Sequence, residues 1–251
     1  LDYDNKKVVV IGSGATAVTL VPAMAEKAAK VTMLQRSPTY IVSMPAENAL
    51  ANWARRNLPA KLAYGLTRWR NVFLNRLMFW YCRRFPEQAK KLLLKRVRAE
   101  LPFGFDIEKH LTPHYNVWDQ RVCLAPDGDF FTALRASKAD IVTDQIESFT
   151  KRGVKVASGA EIEADIIVSA TGLDLQFFGG VDIQVDNKAV LAKDTMTYKG
   201  MMFSGVPNFA LSSGYTNASW TLKCDLTSAY VCRLLNHMDK KGYTQAQPEL
   251  D

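Results

Sequence analysis

The chain opens with an unbroken apolar run, Val8-Val9-Val10-Ile11, that stops at Gly12. Four apolar residues ended by a glycine turn predict a strand buried on both faces, as in a parallel sheet. A helical pattern follows from Ala15, and a second buried strand, Val31-Thr32-Met33-Leu34, ends on Gln35-Arg36-Ser37. From about residue 47 to 110 the pattern becomes helical, predicting two or three amphipathic helices broken near Pro59 and Pro86. Alternation returns later. Phe130 to Arg135 reads as a short helix, Ile141–Thr143 and Ile146–Phe149 as short strands, and Gly153 to Ile162 as a hairpin turning at Ser158-Gly159. The run Ala164-Asp165-Ile166-Ile167-Val168-Ser169-Ala170-Thr171-Gly172 predicts a fully buried strand closing a first domain over residues 1–172, and a last helix is expected from about Thr221 to Met238. The fold class is α/β: a Rossmann-like domain with a helical insertion, then a further segment.

The turn Gly12-Ser13-Gly14-Ala15-Thr16-Ala17 carries chemistry. Glycine at position 12 permits a tight turn, glycine at 14 lets the backbone approach a pyrophosphate, and the small Ala17 keeps the helix close to the sheet. The helix start then offers unpaired N–H groups and its positive dipole end to the phosphates. An acid at the end of the second strand would bind a ribose 2′-hydroxyl and repel a 2′-phosphate. Arg36 stands there instead and can pair with that phosphate. The expected cofactor is NADPH rather than NADH, held by Gly12, Ser13, Gly14, Ala15, Thr16, Gln35, Arg36 and Ser37.

Charge changes the picture in one place. The net charge of the 251 residues is +7, yet Arg55 to Arg98 alone holds 13 Lys/Arg and one acid, Glu87, so the remainder is acidic by 5. Trp53, Trp69, Phe73, Phe79, Trp80, Tyr81 and Phe85 sit among these cations. Nucleic-acid binding is not expected, because no nucleic-acid-binding module accompanies the charge. Two readings stay open for residues 55–98: a helical insertion packed on its own domain with Arg and Lys stems covering apolar surface, or a peripheral membrane or partner contact. Cys82, Cys123, Cys224 and Cys232 form no CxxC pair and no zinc spacing, so no metal site is expected and a reducing cytoplasm fits. No apolar run approaches the ~18 residues that span a bilayer.

Taken together, several motifs resemble the class B flavoprotein monooxygenases of the Baeyer–Villiger branch. They are the strand–GSGATA–helix unit, Gln35-Arg36-Ser37-Pro38, Trp118-Asp119-Gln120-Arg121, the strand ending Ala170-Thr171-Gly172, and Gly214-Tyr215-Thr216-Asn217-Ala218-Ser219-Trp220, in that order. The resemblance covers essentially residues 1–245. It implies FAD beside NADPH, O₂ as co-substrate, and oxygen transfer to a ketone or to the sulfur of a thioamide or thioether. It implies that residues 173–251 are the C-terminal part of an FAD-binding domain. Arg121 matches the family's active-site arginine, which meets developing negative charge. Thr171 and Gly172 match the hinge between nucleotide domains, and Gly214, Tyr215, Thr216 and Asn217 match flavin contacts at a helix start. Gln120 stands where many relatives place a lysine for the 2′-phosphate, which puts the weight on Arg36.

The family also carries an N-terminal FAD-binding unit with its own glycine fingerprint, and this sequence has one such fingerprint, not two. A fragment is therefore expected. Two other functional classes stay open on the sequence: an NADPH-binding module without flavin chemistry, and a basic membrane-associated interaction protein.

Overall fold

The computed structural model describes residues 2–174, 176–215 and 220–250, which fall into two compact units, Leu1–Gly172 and Leu173–Asp251. In the first, β1 (Lys7–Ile11), α1 (Ala15–Ala25) and β2 (Lys30–Gln35) form the expected βαβ unit. β3 (Ile41–Met44) leads into the insertion: α2 (Ala49–Asn57), α3 (Ala60–Arg84), α4 (Pro86–Ala99) and α5 (Ile107–Leu111). The helices break where proline requires it. Pro59 caps α3, and Pro86 opens α4, where its missing N–H is harmless. β4 (Cys123–Pro126), α6 (Asp129–Arg135), β5 (Ala139–Thr143), β6 (Ile146–Phe149), β7 (Gly153–Val156), β8 (Glu161–Glu163) and β9 (Ile166–Ser169) complete the unit.

The central sheet is parallel throughout, in the order β5-β2-β1-β9. With β1 in the middle and the chain reversing direction across it, this is the doubly wound order whose ligands bind outside the carboxyl ends of the strands. Val8, Val10, Val31 and Met33 pack on one face against Ala17, Val18 and Val21 of α1 and Phe130, Phe131 and Leu134 of α6. Ala17 is wholly buried, as a small residue at the closest helix–sheet approach must be. On the other face Val9 and Leu34 meet Val154 and Val156 of the antiparallel sheet β6-β7-β8.

One expectation is corrected. β9 is not fully buried: its residues alternate between half-buried and exposed, and Ile167 is 40% exposed. Among the described residues it is the outer strand of the sheet, pairing only with β1, so one face lacks the cover a central strand receives.

The second unit holds two antiparallel hairpins, β10 (Gln184–Val185) with β11 (Lys188–Ala189) and β12 (Thr197–Tyr198) with β13 (Met202–Phe203), and the long helix α7 (Trp220–Lys241). Asp186 and Asn187 both take positive φ, the backbone a two-residue hairpin turn demands. The rings of Phe178, Phe203 and Phe209 cluster beside the buried Met201 and Met202, with Phe178 meeting the other two edge to face. The end of the chain folds back, with Asn208 N–H donating to the Ala246 carbonyl and Gly205 N–H to that of Pro248.

Candidate nucleotide site and the Arg121 loop

The carboxyl ends of β1, β2 and β9 bring the glycine turn, Ser37 and Thr171 to one edge. Gly12 has φ +129°, and a Cβ built there would lie 2.3 Å from the Ala170 carbonyl oxygen, so only glycine lets β1 turn against the end of β9. Gly12 N–H donates to the Leu34 carbonyl, and Ala170 N–H donates to that of Ile11. Ser13 Oγ donates to the Ser37 carbonyl at 3.0 Å, tying the turn to the segment that follows β2. Gly14 differs from Gly12. Its φ is −77°, and a Cβ placed there would meet no atom within 4 Å, so the protein itself does not demand glycine at this position.

These features fit a dinucleotide. No side chain caps the start of α1 and no acid occupies its first turn, so its N–H groups face outward with an unopposed positive dipole end. Gly14, Ala15 and Thr16 are small and exposed, which leaves the backbone at this start open to a ligand. Arg36 and Ser37 lie just beyond β2, and Arg36 is exposed and takes part in none of the ion pairs among the described residues. Gln35 is placed otherwise. It is 2% exposed, and Nε2 donates to the His110 carbonyl at 2.7 Å and to Thr143 Oγ1 at 2.8 Å. Its amide thus clamps the end of α5 to β5, while Oε1 is buried without a partner among the described residues.

Arg121 lies just before β4, on a loop held by contacts distant in sequence. Tyr40, fully buried, donates its hydroxyl to the Tyr115 carbonyl at 2.7 Å, and the two rings meet edge to face at 5.4 Å. Burial pushes the Tyr40 phenol up to about 12, with Tyr115 adding to it, so the hydroxyl stays a donor. Lys90 Nζ donates to the Pro113 carbonyl, and Arg83 pairs with Asp119 at 2.5 Å. Asp119 also accepts from Asn116 N–H, closing the turn in which Trp118 takes φ +73°. A bulky residue in that region is strained and persists only where its surroundings dictate it. Arg121 itself is exposed and enters no ion pair among the described residues. Nearby, burial pushes the Cys123 thiol up, opposed by a hydrogen bond with Thr39 and by the positive charge of Arg121.

Sequence reasoning leaves His110 unassigned, and the structure seats it between the insertion and the sheet. Its Nδ1 is 2.8 Å from Thr143 Oγ1 and its ring 5.6 Å from Phe105. Tyr40, Tyr115 and Lys90, which hold the Arg121 loop, also escape it. Their contacts span 23 to 75 residues, and no local pattern announces them.

In the second unit, Gly214 has a packing reason of its own. A Cβ there would come within 2.1 Å of the Trp220 ring. Tyr215 is exposed, and Thr216 and Asn217 lie outside the described residues. A flavin role for these four positions therefore rests on the motif. Among the described residues no group of His, Cys, Asp and Glu is placed to hold a metal, and no helix is long and apolar enough to cross a membrane.

Against known proteins, the chain is 55% identical over 244 residues to the FAD-containing monooxygenase EthA of Mycobacterium tuberculosis, covering 97% of this chain and 50% of that protein. Over nearly its whole length the chain is similar to proteins named FAD-containing monooxygenases. It spans about half the length of the curated relatives it matches. Another relative, the probable FAD-binding monooxygenase AlmA of Acinetobacter baylyi, is 51% identical over 252 residues, covering 100% of this chain and 50% of its own. No family model matches the chain. Among solved structures, OTEMO in complex with FAD and NADP superposes with a TM-score of 0.75 at 23% identity, covering 99% of this chain and 54% of that one. Steroid monooxygenase bound to NADP gives 0.69 at 22%, covering 96% and 56%. At such identities the likeness establishes the shared α/β fold.

Proposed function

We propose that this chain supplies the NADPH-binding half of an FAD-dependent monooxygenase that transfers one oxygen atom from O₂ to a ketone or to the sulfur of a thioamide or thioether. One observation carries the reading. The glycine turn and Arg36, which has no ion-pair partner among the described residues, are drawn to one sheet edge through the Ser13–Ser37 hydrogen bond, in a chain 55% identical to a protein named an FAD-containing monooxygenase. The bound cofactors supply reducing equivalents and the activated oxygen. The residues supply the rest.

Backbone N–H groups from Gly12 to Thr16 hold the pyrophosphate in this reading. Arg36 and Ser37 take the 2′-phosphate, which an arginine can bind through two parallel N–H donors. Gln35 contributes by fixing the end of β2 rather than by reaching outward. Arg121, on a tethered loop and without an ion-pair partner among the described residues, is the cation that meets negative charge as it develops on the reacting oxygen, and the tethers hold it there in advance. Thr171 and Gly172 are the joint at which the chain passes from one nucleotide domain to the other, with the second unit, residues 173–251, as part of the FAD-binding domain. Gly214, Tyr215, Thr216 and Asn217 precede α7 in the sequence and, by their motif, would contact the flavin.

The test is made in the full polypeptide that carries this segment. In Arg121→Ala, stopped-flow reduction of the flavin by NADPH is expected to stay within a few fold of wild type. Product formation should fall by about 10²–10³, the usual cost of one preorganised donor. Arg121→Lys should recover little, since a point charge does not reproduce a planar fork. Oxygenation of a ketone or thioether by Arg121→Ala at near wild-type rate would show Arg121 to be structural.

A further inference from the structure

Helix α3 carries a surface that nothing among the described residues covers. Of its 25 residues only Ala63 and Cys82 are buried, and every residue from Val72 to Trp80 is exposed. Leu62, Leu66, Trp69, Phe73, Leu77 and Trp80 follow at steps of four, three, four, four and three residues, which aligns them along one side of a helix. All six are exposed, Trp69 at 71% and Phe73 at 65%. The stripe runs roughly 27 Å at 1.5 Å per residue. Arg76 and Arg70 fall on its two flanks, and α3 as a whole holds six cations, Lys61, Arg68, Arg70, Arg76, Arg83 and Arg84, and no acid. An apolar stripe of this extent is a binding surface rather than ordinary exposure.

We propose that α3 docks the protein on an anionic lipid surface, with the stripe sunk into the headgroup–acyl boundary and the flanking arginines on lipid phosphates. The chemistry of the stripe chooses this occupant over others. Burial against a further part of the same polypeptide, or against any protein core, would have to bring a carboxylate to each of Arg70 and Arg76, since α3 has no acid of its own and an unpaired buried ion loses its hydration without return. A second copy would set two acid-free helices against each other. Nucleic acid would satisfy the arginines but leave Trp69, Phe73 and Leu77 without an apolar partner. A lipid interface satisfies both halves at once, because Trp and Phe suit the boundary while long basic side chains reach back to the phosphates. The helix is not long and apolar enough to span, so the association is peripheral and salt-sensitive.

Not all the cations take part. Arg83 is committed to Asp119, Arg68 donates to the Tyr64 hydroxyl and the Arg84 guanidinium lies over the Phe85 ring, which leaves Lys61, Arg76 and Arg70, the last bonded only to its neighbour Asn71, as the freer charges. The same helix end grips the Arg121 loop through Arg83–Asp119 and through Phe79, whose ring lies 6.4 Å from that of Trp118. Docking would therefore hold that loop beside the lipid. The surface belongs to α3 alone and is independent of the oxygenase reading.

Co-flotation of the full polypeptide with phosphatidylcholine vesicles, with and without about a third phosphatidylglycerol, tests it. Binding is expected to be at least about ten-fold tighter to the anionic vesicles and to weaken steeply with salt. Arg70→Glu with Arg76→Glu should weaken it by about 20-fold or more. Trp69→Ser, Phe73→Ser and Trp80→Ser combined should abolish it, and circular dichroism should show all variants folded. Three results would overturn the proposal: no binding to anionic vesicles, equal binding to both vesicle types, or dimerisation in solution that the triple serine variant abolishes.

Discussion

The turn at Gly12 and the helix α3 both present positive potential to an anion, and they do so by opposite physics. At the turn the attraction comes from backbone N–H groups and a helix dipole, fixed in place by a glycine that the Ala170 carbonyl leaves no room to replace. On α3 it comes from flexible side chains around an apolar stripe, with almost nothing holding the helix middle against the body of the unit. The first arrangement suits one phosphate group in one geometry. The second suits a surface with many phosphates and no single geometry. Rigidity in this unit is therefore placed where recognition is discrete, and exposure where it is diffuse.

Substitutions at the two glycines of the turn give the largest expected effect. Gly12→Ala forces a methyl group onto a carbonyl at a φ that side chains avoid and should cost about 3 kcal/mol or more of folding stability. Gly14→Ala, with open space and an ordinary φ, should leave urea unfolding within about 0.5 kcal/mol of wild type while NADPH affinity drops, because the methyl group occupies the approach of the pyrophosphate. Equal destabilisation by the two would dissolve the distinction between a glycine the fold requires and one the ligand requires.

A smaller effect concerns His110, at the seam between the insertion and the sheet. Burial, aided by repulsion from Lys109 and opposed by Asp106 and Asp140, holds this imidazole below its ordinary 6.5. The unfolded chain then takes up the proton first as pH falls. The stabilisation is present above 6.5 and is lost as pH drops through the lower folded value. Chemical denaturation across this range should show stability declining with acid, and His110→Gln should flatten the decline. Smallest of all, Trp69→Ser should change folding stability by no more than about 0.5 kcal/mol, since an exposed side chain has little packing to lose. A cost of about 2 kcal/mol or more would mean that the α3 stripe is packed in solution.

The two regions also differ in how far the sequence can be read. A βαβ unit is local: Val8 to Ile11, the glycines and Val31 to Leu34 lie close together along the chain, and each element follows from its own pattern. The helix breaks at Pro59 and Pro86 are local too, and both stand where expected. Burial is not local. The run from Ala164 to Gly172 looks like a central strand, but whether its outer face is covered depends on which elements pack beside it. Likewise Gln35 reads as a polar strand end near a nucleotide, while its amide serves His110 and Thr143, 75 and 108 residues away. The α3 pattern reads equally as packed or exposed until the neighbouring elements are in place.

If the glycine turn and Arg36 form a discrete phosphate site, this chain alone should bind NADPH and prefer it to NADH. Isothermal titration calorimetry on the 251-residue chain, with wild type and Arg36→Ala each titrated with NADPH and NADH, measures that preference. Wild type is expected to bind NADPH at least about ten-fold more tightly, roughly 1.4 kcal/mol, and Arg36→Ala to lose the difference while retaining its NADH affinity. Equal affinity of the wild type for the two nucleotides would contradict a 2′-phosphate site at Arg36.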